Sequence, residues 1–430
     1  MGSRFATYKK TDPILAAAVT GLTLFGILMV YSASSYAAKN AYGNEYYFLI
    51  KQAVGAALGL AAMAACSFVD YRVLLKLRYP LLAVSYLMLV LVFVPHIGVE
   101  NYGAKRWINL PFFTIQASEI AKFGFIVFSA AYMAKNYRKM TSFRALLPVL
   151  AVGGSMCVLI ISEPNMSVTM CVGLTMFVML FVGGAKIKHL ALLLIPAVAL
   201  VPVLIVIEPY RLHRLTAFLD PWASPLGEGY QLIQSFYALG SGGLFGVGLF
   251  NSRQKYLFLP FGESDFIFSV IGEEFGFVGS ALVIAVYVIL IFRIVRIAKN
   301  APDRFGCYLS AGIAAIIAIQ TAINVAVVSG SIPPTGLPLP FVSSGSSSLI
   351  VFCASVGFVF SVERRSHDSV KCLVAQHNRG NGYGDKRIGK KEKHVVSKAV
   401  PERGKAGKVA VPDHKVNSAR PEKNAGKHVT

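Results

Sequence analysis

Apolar stretches of about 20 residues recur along this chain from residue 13 to residue 361, most of them separated by short polar gaps. That length matches an α-helix crossing the hydrocarbon core of a bilayer. With 55% hydrophobic and 15% charged residues, the 430-residue chain is too apolar for a soluble globular protein. The runs are continuous rather than alternating, which argues against a β-barrel. The expected fold class is an all-α polytopic membrane protein of about ten transmembrane helices, with a long extracytoplasmic loop between spans seven and eight. The spans are placed at 13–35, 47–68, 79–97, 114–134, 144–162, 166–184, 187–207, 266–292, 306–329 and 341–361. The first run lacks a small-residue cleavage site and reads as a span rather than a signal peptide.

The formal charge of +21 is uneven. From Arg364 onward, 17 Lys/Arg stand against 6 Asp/Glu. The sequence therefore divides into a membrane domain, 1–363, and a basic, disordered tail, 364–430. Basic residues also mark alternate loops: Lys9 and Lys10, Lys76 and Arg78, Arg138 and Lys139, Lys186 and Lys188, Arg293 and Arg296. By the positive-inside rule both termini are cytoplasmic. The tail is expected to rest on anionic lipid. Nucleic acid is not an expected partner, because no aromatic interleaving or binding fold accompanies the charge. The six cysteines lack metal-like spacing and read as small core residues.

With that orientation the unusual polar motifs gather on the outer side: "NYGAKRWINLPFF" (101–113), "QASEIAK" (116–122), "SEPNMS" (162–167), the long segment 208–265 and "SGSIPPTGLPLPFVSSGSSS" (329–348). Segment 208–265 reads as an ordered loop at the interface, since long loops in compact domains are usually functional. Glu119 and Lys122 share a helix face at i, i+3. They form either a mutually neutralising pair or the lining of a polar cavity. Arg106 beside Trp107 reads first as an interfacial anchor and second as a phosphate contact. Arg211, Arg214, Arg253 and Lys255 place positive charge outside, against the sorting rule, and suit an anionic ligand or plain solvation.

In "LPFGESDFIFSVIGEEFG" (259–276), Asp265 is either the N-cap of the next helix or a functional carboxylate. Glu273 and Glu274 lie roughly 12 Å deeper at 1.5 Å per residue. Gly272, Gly276 and Gly279 suggest close packing of that helix on a neighbour. The serines from Ser343 to Ser348 have no histidine nearby, which speaks against a serine hydrolase. No nucleotide-binding glycine motif is present. An enzyme with an outer site would need a substrate that arrives already activated, on a lipid.

The stretches "GAKRWI", "QASEIAKF", "LDPW", "GYQLIQSFYALGSGGLFGVGLFNSRQKYLFLP", "SDFIFSVIGEEFGFVG" and "PPTGLPLPFVSSGSSSLI" resemble the SEDS family (shape, elongation, division, sporulation) over nearly all of residues 10–363. "NSRQKYLFLP" is closest to its FtsW/SpoVE-type branch, which implies division or sporulation. The resemblance implies a peptidoglycan glycosyltransferase of the bacterial cytoplasmic membrane, at the division septum. It would polymerise lipid II on the outer face, beside a cognate class B penicillin-binding protein, divisome proteins and membrane lipids. The family's essential aspartate maps onto Asp265, and its fourth-span Glu and Lys onto Glu119 and Lys122. Departures stand at Asn165 and Ser167, where the family often has Asp and Gly, at Ser344 and Ser346 in place of Tyr and Gly, and at Glu263.

The implied chemistry has Asp265 as general base for an inverting transfer that releases undecaprenyl pyrophosphate. The leaving group needs positive charge. Candidates are Arg106, Lys122, Arg211, Arg214, Arg253 and Lys255, or a divalent cation, Mg or Mn. A lipid II flippase and a divisome scaffold are the alternative readings.

Overall fold

The computed structural model describes residues 11–95, 97–101, 104–109, 114–207 and 209–382. Its helices are α1 (Pro13–Tyr42), α2 (Tyr47–Phe68), α3 (Val73–Leu91), α4 (Ala117–Asn136), α5 (Phe143–Ser162), α6 (Met166–Val182), α7 (Ile187–Ile207), α8 (Pro209–Leu219), α9 (Tyr230–Gly242), α10 (Ile267–Lys299), α11 (Arg304–Val328) and α12 (Ser346–Gly382). Eight of them, α1 to α5 and α10 to α12, are long and apolar enough to cross a membrane. Helix α6 and residues Ile187–Pro196 of α7 are shorter apolar helices. The protein is an all-α, multi-pass membrane protein.

Each expected span falls on a helix. The third is displaced, because Pro80 lies inside α3 rather than at its start. The preceding stretch joins the helix, and its Lys76 and Arg78 can extend toward the interface. Helix α12 also runs past the expected end at 361, into residues assigned to a disordered tail. No Gly or Pro interrupts residues 358–379, so nothing stops the helix before Gly380. The rest of the expected tail, from residue 383, lies outside the described residues. The chain separates into two units, Met1–Ser369 and Val370–Thr430.

In the first unit, α4 packs on α3 and α11, and α10 packs on α11, α9 and α1. Burial sorts the helices: 78% of the α4 window is inside the protein but only 17% of the α3 window. Helix α4 is therefore central, while α3 turns most of its apolar surface outward, where a bilayer would solvate it. Hydroxyls inside the bundle bond to carbonyls one turn back, as Ser34 does to Val30 (2.6 Å) and Thr175 to Cys171 (2.7 Å).

Two local structures depart from the sequence expectation. The segment before α4 forms a three-stranded antiparallel sheet, β1 (Gly98–Asn101), β2 (Ala104–Asn109) and β3 (Thr114–Gln116), in that spatial order. Trp107 pairs with Val99 on one side and with Gln116 on the other. Helix α10 is not continuous, since Gly276 has φ 68° and ψ −165°. The carbonyls freed at this break are taken up by the loop after α9. Val247 and Gly248 donate to Glu273 (2.9 Å) and Glu274 (3.0 Å), and Phe277 donates to Gly243 (2.9 Å). Irregular backbone is tolerated at this depth because protein groups satisfy it. The close packing expected for Gly272 is met from α9, where a Cβ on Gly242 would lie 2.0 Å from the Gly272 carbonyl oxygen.

The ends of the bundle differ in chemistry. At one end, Arg293 pairs with Asp12, Arg72 with Asp303 and Arg365 with Asp70. At the other, β2, the α5–α6 turn, the segment before α10 and the proline-rich strap 331–345 converge on a cavity.

Candidate active site

The cavity encloses about 500 Å³. Arg106, Asn165, Arg214, Asp265, Gly336 and Ser348 are among the side chains and backbone that line it. Three candidates from the sequence, Asp265, Arg106 and Arg214, are thus brought together from distant parts of the chain.

Asp265 is not a helix cap. Helix α10 starts at Ile267, and the residue preceding it, Phe266, offers no side-chain capping bond. The Asp265 main chain is held instead by α11, where Asn324 Nδ2 donates to its carbonyl at 2.8 Å. Its carboxylate abuts the strap: a Cβ on Gly336 would lie 3.2 Å from Asp265 Oδ2. Burial, followed by the nearby charge of Glu263, pushes the Asp265 carboxyl up to about 7. Arg214 and Arg106 pull it the other way. The net effect is a carboxyl poised to exchange a proton near neutral pH, with Glu263 and two arginines acting on it in opposite senses.

The two arginines are fixed by backbone carbonyls. Arg106 donates to the carbonyls of Glu163 (3.3 Å) and Pro164, tying β2 to the α5–α6 turn. Arg214 Nη1 donates to the Pro334 carbonyl at 3.2 Å, tying α8 to the strap. Arg106 is therefore part of the cavity wall and not simply an interfacial anchor. Burial raises the Glu163 carboxyl to about 8, against the opposing charge of Arg106. Arg211 lies in α8, and its side chain is outside the described residues.

Glu119 and Lys122 form a buried pair at 2.7 Å inside α4. They stand behind the cavity wall rather than in it. Ser348, which lines the cavity, donates to Glu119 at 3.1 Å, and Lys122 donates to Gln320 Oε1 at 2.8 Å. Of the two sequence readings the mutually neutralising pair holds, while the pair does not line the cavity and reaches it only through Ser348.

Arg253 and Lys255 are placed elsewhere, and neither lines this cavity. Glu273 accepts from the Ser252 hydroxyl and from the backbone amides of Arg253 (2.8 Å) and Gln254 (3.4 Å). Glu274 accepts from Ser32 and pairs with Lys255 at 3.7 Å, while Lys255 also donates to the Phe250 carbonyl. The two deep glutamates therefore organise the 250–255 turn against α10 and α1. The positive charge of Lys255 is spent on Glu274 instead of an outside anion.

The departures from the family pattern fit their places. Asn165 caps α6, accepting from the Val168 amide at 3.4 Å, a role a neutral amide fills as well as a carboxylate. Ser346 donates to the Lys51 carbonyl at 3.1 Å, and the Ser344 amide donates to the Glu263 carbonyl at 2.9 Å. The sequence reading missed Asn324 and Gln320. The available signal was a pair of amides at i, i+4 in the apolar run "AIQTAINVAV" of α11.

A family model for the cell cycle proteins FtsW, RodA and SpoVE matches residues 13–368. The chain belongs to the FtsW/RodA/SpoVE family. Within this family it is 40% identical to stage V sporulation protein E of Bacillus subtilis (strain 168) over 364 residues, 84% of this chain and 99% of that protein. It is 39% identical to the probable peptidoglycan glycosyltransferase FtsW of Geobacter sp. (strain M18) over 355 residues, 82% of this chain and 97% of that one. Among solved structures, a chain of a peptidoglycan synthase complex, studied for its coordination of polymerization and crosslinking, is 30% identical. It superposes with a TM-score of 0.67 over 84% of this chain and 99% of its own. The crystal structure of Thermus thermophilus RodA, a rod shape determining protein, gives 0.62 at 27% identity, covering 84% and 98%.

Among the described residues, no three His, Cys, Asp or Glu side chains converge. Two carboxyls, Asp265 and Glu263, with two arginines acting on Asp265, do not fit a Mg or Mn ion held by protein ligands alone.

Proposed function

We propose that this FtsW/RodA/SpoVE-family protein is a peptidoglycan glycosyltransferase that polymerises lipid II, with Asp265 as general base. The observation that carries the reading is the placement of Asp265. Its carboxyl sits in a cavity at one end of a membrane bundle, raised to about 7, with Arg106 and Arg214 close enough to act on its charge. In the proposed step Asp265 takes the proton from the 4-hydroxyl of the acceptor's N-acetylglucosamine. The oxygen attacks C1 of the donor's N-acetylmuramic acid from the face opposite the leaving group. A β-1,4 bond forms, the C1–O bond to undecaprenyl pyrophosphate breaks, and the configuration inverts. Arg106 and Arg214 supply the positive charge that stabilises the departing pyrophosphate. The leaving group needs no proton, so a single carboxyl suffices.

The relatives named FtsW and the peptidoglycan synthase complex support this reading, and so does the chain's near full-length match to both. The synthase complex also supports a class B penicillin-binding protein as partner. The basic loops support an orientation with both termini in the cytoplasm and the cavity outside. A general base typically contributes about 10²–10⁴ in rate. Purified protein with its transpeptidase and labelled lipid II should lose glycan synthesis by that factor on Asp265→Asn. Undiminished glycan chains from the variant would refute the assignment. Unimpaired lipid II movement across vesicles by a variant that makes no glycan would show that transport and polymerisation are separate.

A further inference from the structure

The strap over the cavity holds itself only near its end, where the Leu339 carbonyl accepts from the Val342 (3.2 Å) and Ser343 (3.0 Å) amides. Pro333, Pro334, Pro338 and Pro340 have no N–H to donate, so segment 332–340 lacks the donors for a regular ladder. Four other carbonyls of the segment are met by side chains from elsewhere. Arg214 donates to Pro334 (3.2 Å), Asn324 to Leu337 (2.8 Å), Gln320 to Pro338 (2.9 Å) and Tyr287 to Pro340. Ser343 closes the far side, accepting from the Leu339 amide (2.7 Å) and donating to the Ser264 carbonyl (2.6 Å).

Asn324 differs from the others in that it grips two segments at once. The two hydrogens of one amide nitrogen go to the carbonyls of Asp265 and Leu337, both at 2.8 Å. The residue is buried in α11. One turn earlier, Gln320 donates to Pro338 and accepts from Lys122, itself paired with Glu119. The rigid helix thus offers two amides at i, i+4, one reaching the Asp265 segment and one the intramembrane ion pair, with the strap common to both.

We propose that Asn324 is a positioning residue, fixing the Asp265 carboxyl against Gly336 by clamping the Asp265 and Leu337 backbones together, and that Gln320 ties the Glu119–Lys122 pair to the same strap. The catalytic consequence rests on Asp265 being the base; the clamp itself does not. Glu119 and Lys122 then act on the site through Gln320 and Ser348.

The test uses the full-length protein in lipid nanodiscs and two independent readouts. In hydrogen–deuterium exchange, Asn324→Leu should raise exchange at residues 261–266 and 335–343 together, on the order of tenfold. Gln320→Leu should raise it at 335–343 while leaving 261–266 near wild type. In lipid II polymerisation, Asn324→Leu should lower kcat on the order of 10²-fold, as expected for a misplaced reacting group, with little change in KM. If Asn324→Leu does not fold, Asn324→Ser removes the same two bonds with a smaller change of volume and carries both readouts. Exchange unchanged at either segment would overturn the clamp. A loss expressed in KM, with kcat intact, would overturn the positioning role. Wild-type protein that makes no glycan would refute the proposed function, and the exchange arm would still decide the clamp.

Discussion

A carboxyl beside two guanidinium groups would ordinarily titrate low, yet burial and Glu263 outweigh Arg214 and Arg106 at Asp265. The sign of this balance gives a prediction. Arg214 favours the ionised form, so Arg214→Gln should raise the Asp265 pKa and move the acidic limb of the rate–pH profile to higher pH. The midpoint of that limb, read from initial rates, checks this independently of any change in substrate affinity. A limb that stays put or moves to lower pH would show that Arg214 does not act on the carboxyl. At this scale Asp265 was legible through topology and the family resemblance together, and Arg106 only as one of six candidate cations. The sequence was not legible where only contacts decide. From sequence Glu273 and Glu274 read as helix-packing or network residues and Lys255 as a cation for an anionic ligand, and only their three-dimensional neighbours show that they hold one another and the 250–255 turn. Asn324 was missed for the same reason, since an amide in an apolar run does not reveal which carbonyl it meets.

Among the elements, α10 shows how a break in a membrane helix is stabilised. The left-handed backbone at Gly276 suits a residue without a Cβ, and an added Cβ would lie 2.4 Å from the Gly246 nitrogen. Gly276→Ala should therefore destabilise the protein by at least about 1–2 kcal/mol from the backbone conformation alone. Thermal unfolding in detergent should show a lower melting temperature, whereas Gly154→Ala, where a Cβ meets nothing within 4 Å, should leave it nearly unchanged. Equal melting temperatures for the two variants would contradict the assigned backbone. The sequence showed where α10 starts, because an apolar run is a local property, although the helix continues past the expected end at 292 to Lys299. The break depends on amides donated from 247 and 248, so periodicity could not show it. The small sheet at 98–116 escaped for a related reason, because its strands are short and its pairing links separate strands rather than neighbouring residues.

At the scale of the whole molecule, the two ends of the bundle separate ion-pair anchoring from the cavity. The expected spans map onto helices because burial in lipid imposes a length that is visible in the sequence. The cavity was legible only as a gathering of odd motifs on one side, since its walls come from β2, the α5–α6 turn, α8, the segment before α10 and the strap, widely separated along the chain. Arg293–Asp12 and Arg365–Asp70 lie at the other end, so ending the chain after Gly382 leaves these pairs in place. Glycan synthesis in vitro by that truncated protein should stay within about twofold of full length, the scatter expected when no reacting group is touched. A larger loss would implicate the basic tail in the reaction. The central claim, that Asp265 accepts the proton, is tested most directly by the initial rate of lipid II polymerisation as a function of pH in wild type and in Asp265→Asn. Because only the ionised carboxyl can act as base, the wild-type rate should rise with pH through about 7. Well below that midpoint it should fall by about tenfold per pH unit, and the residual rate of Asp265→Asn should lack that limb. An unaltered limb in the variant, or a flat wild-type profile through neutrality, would contradict it.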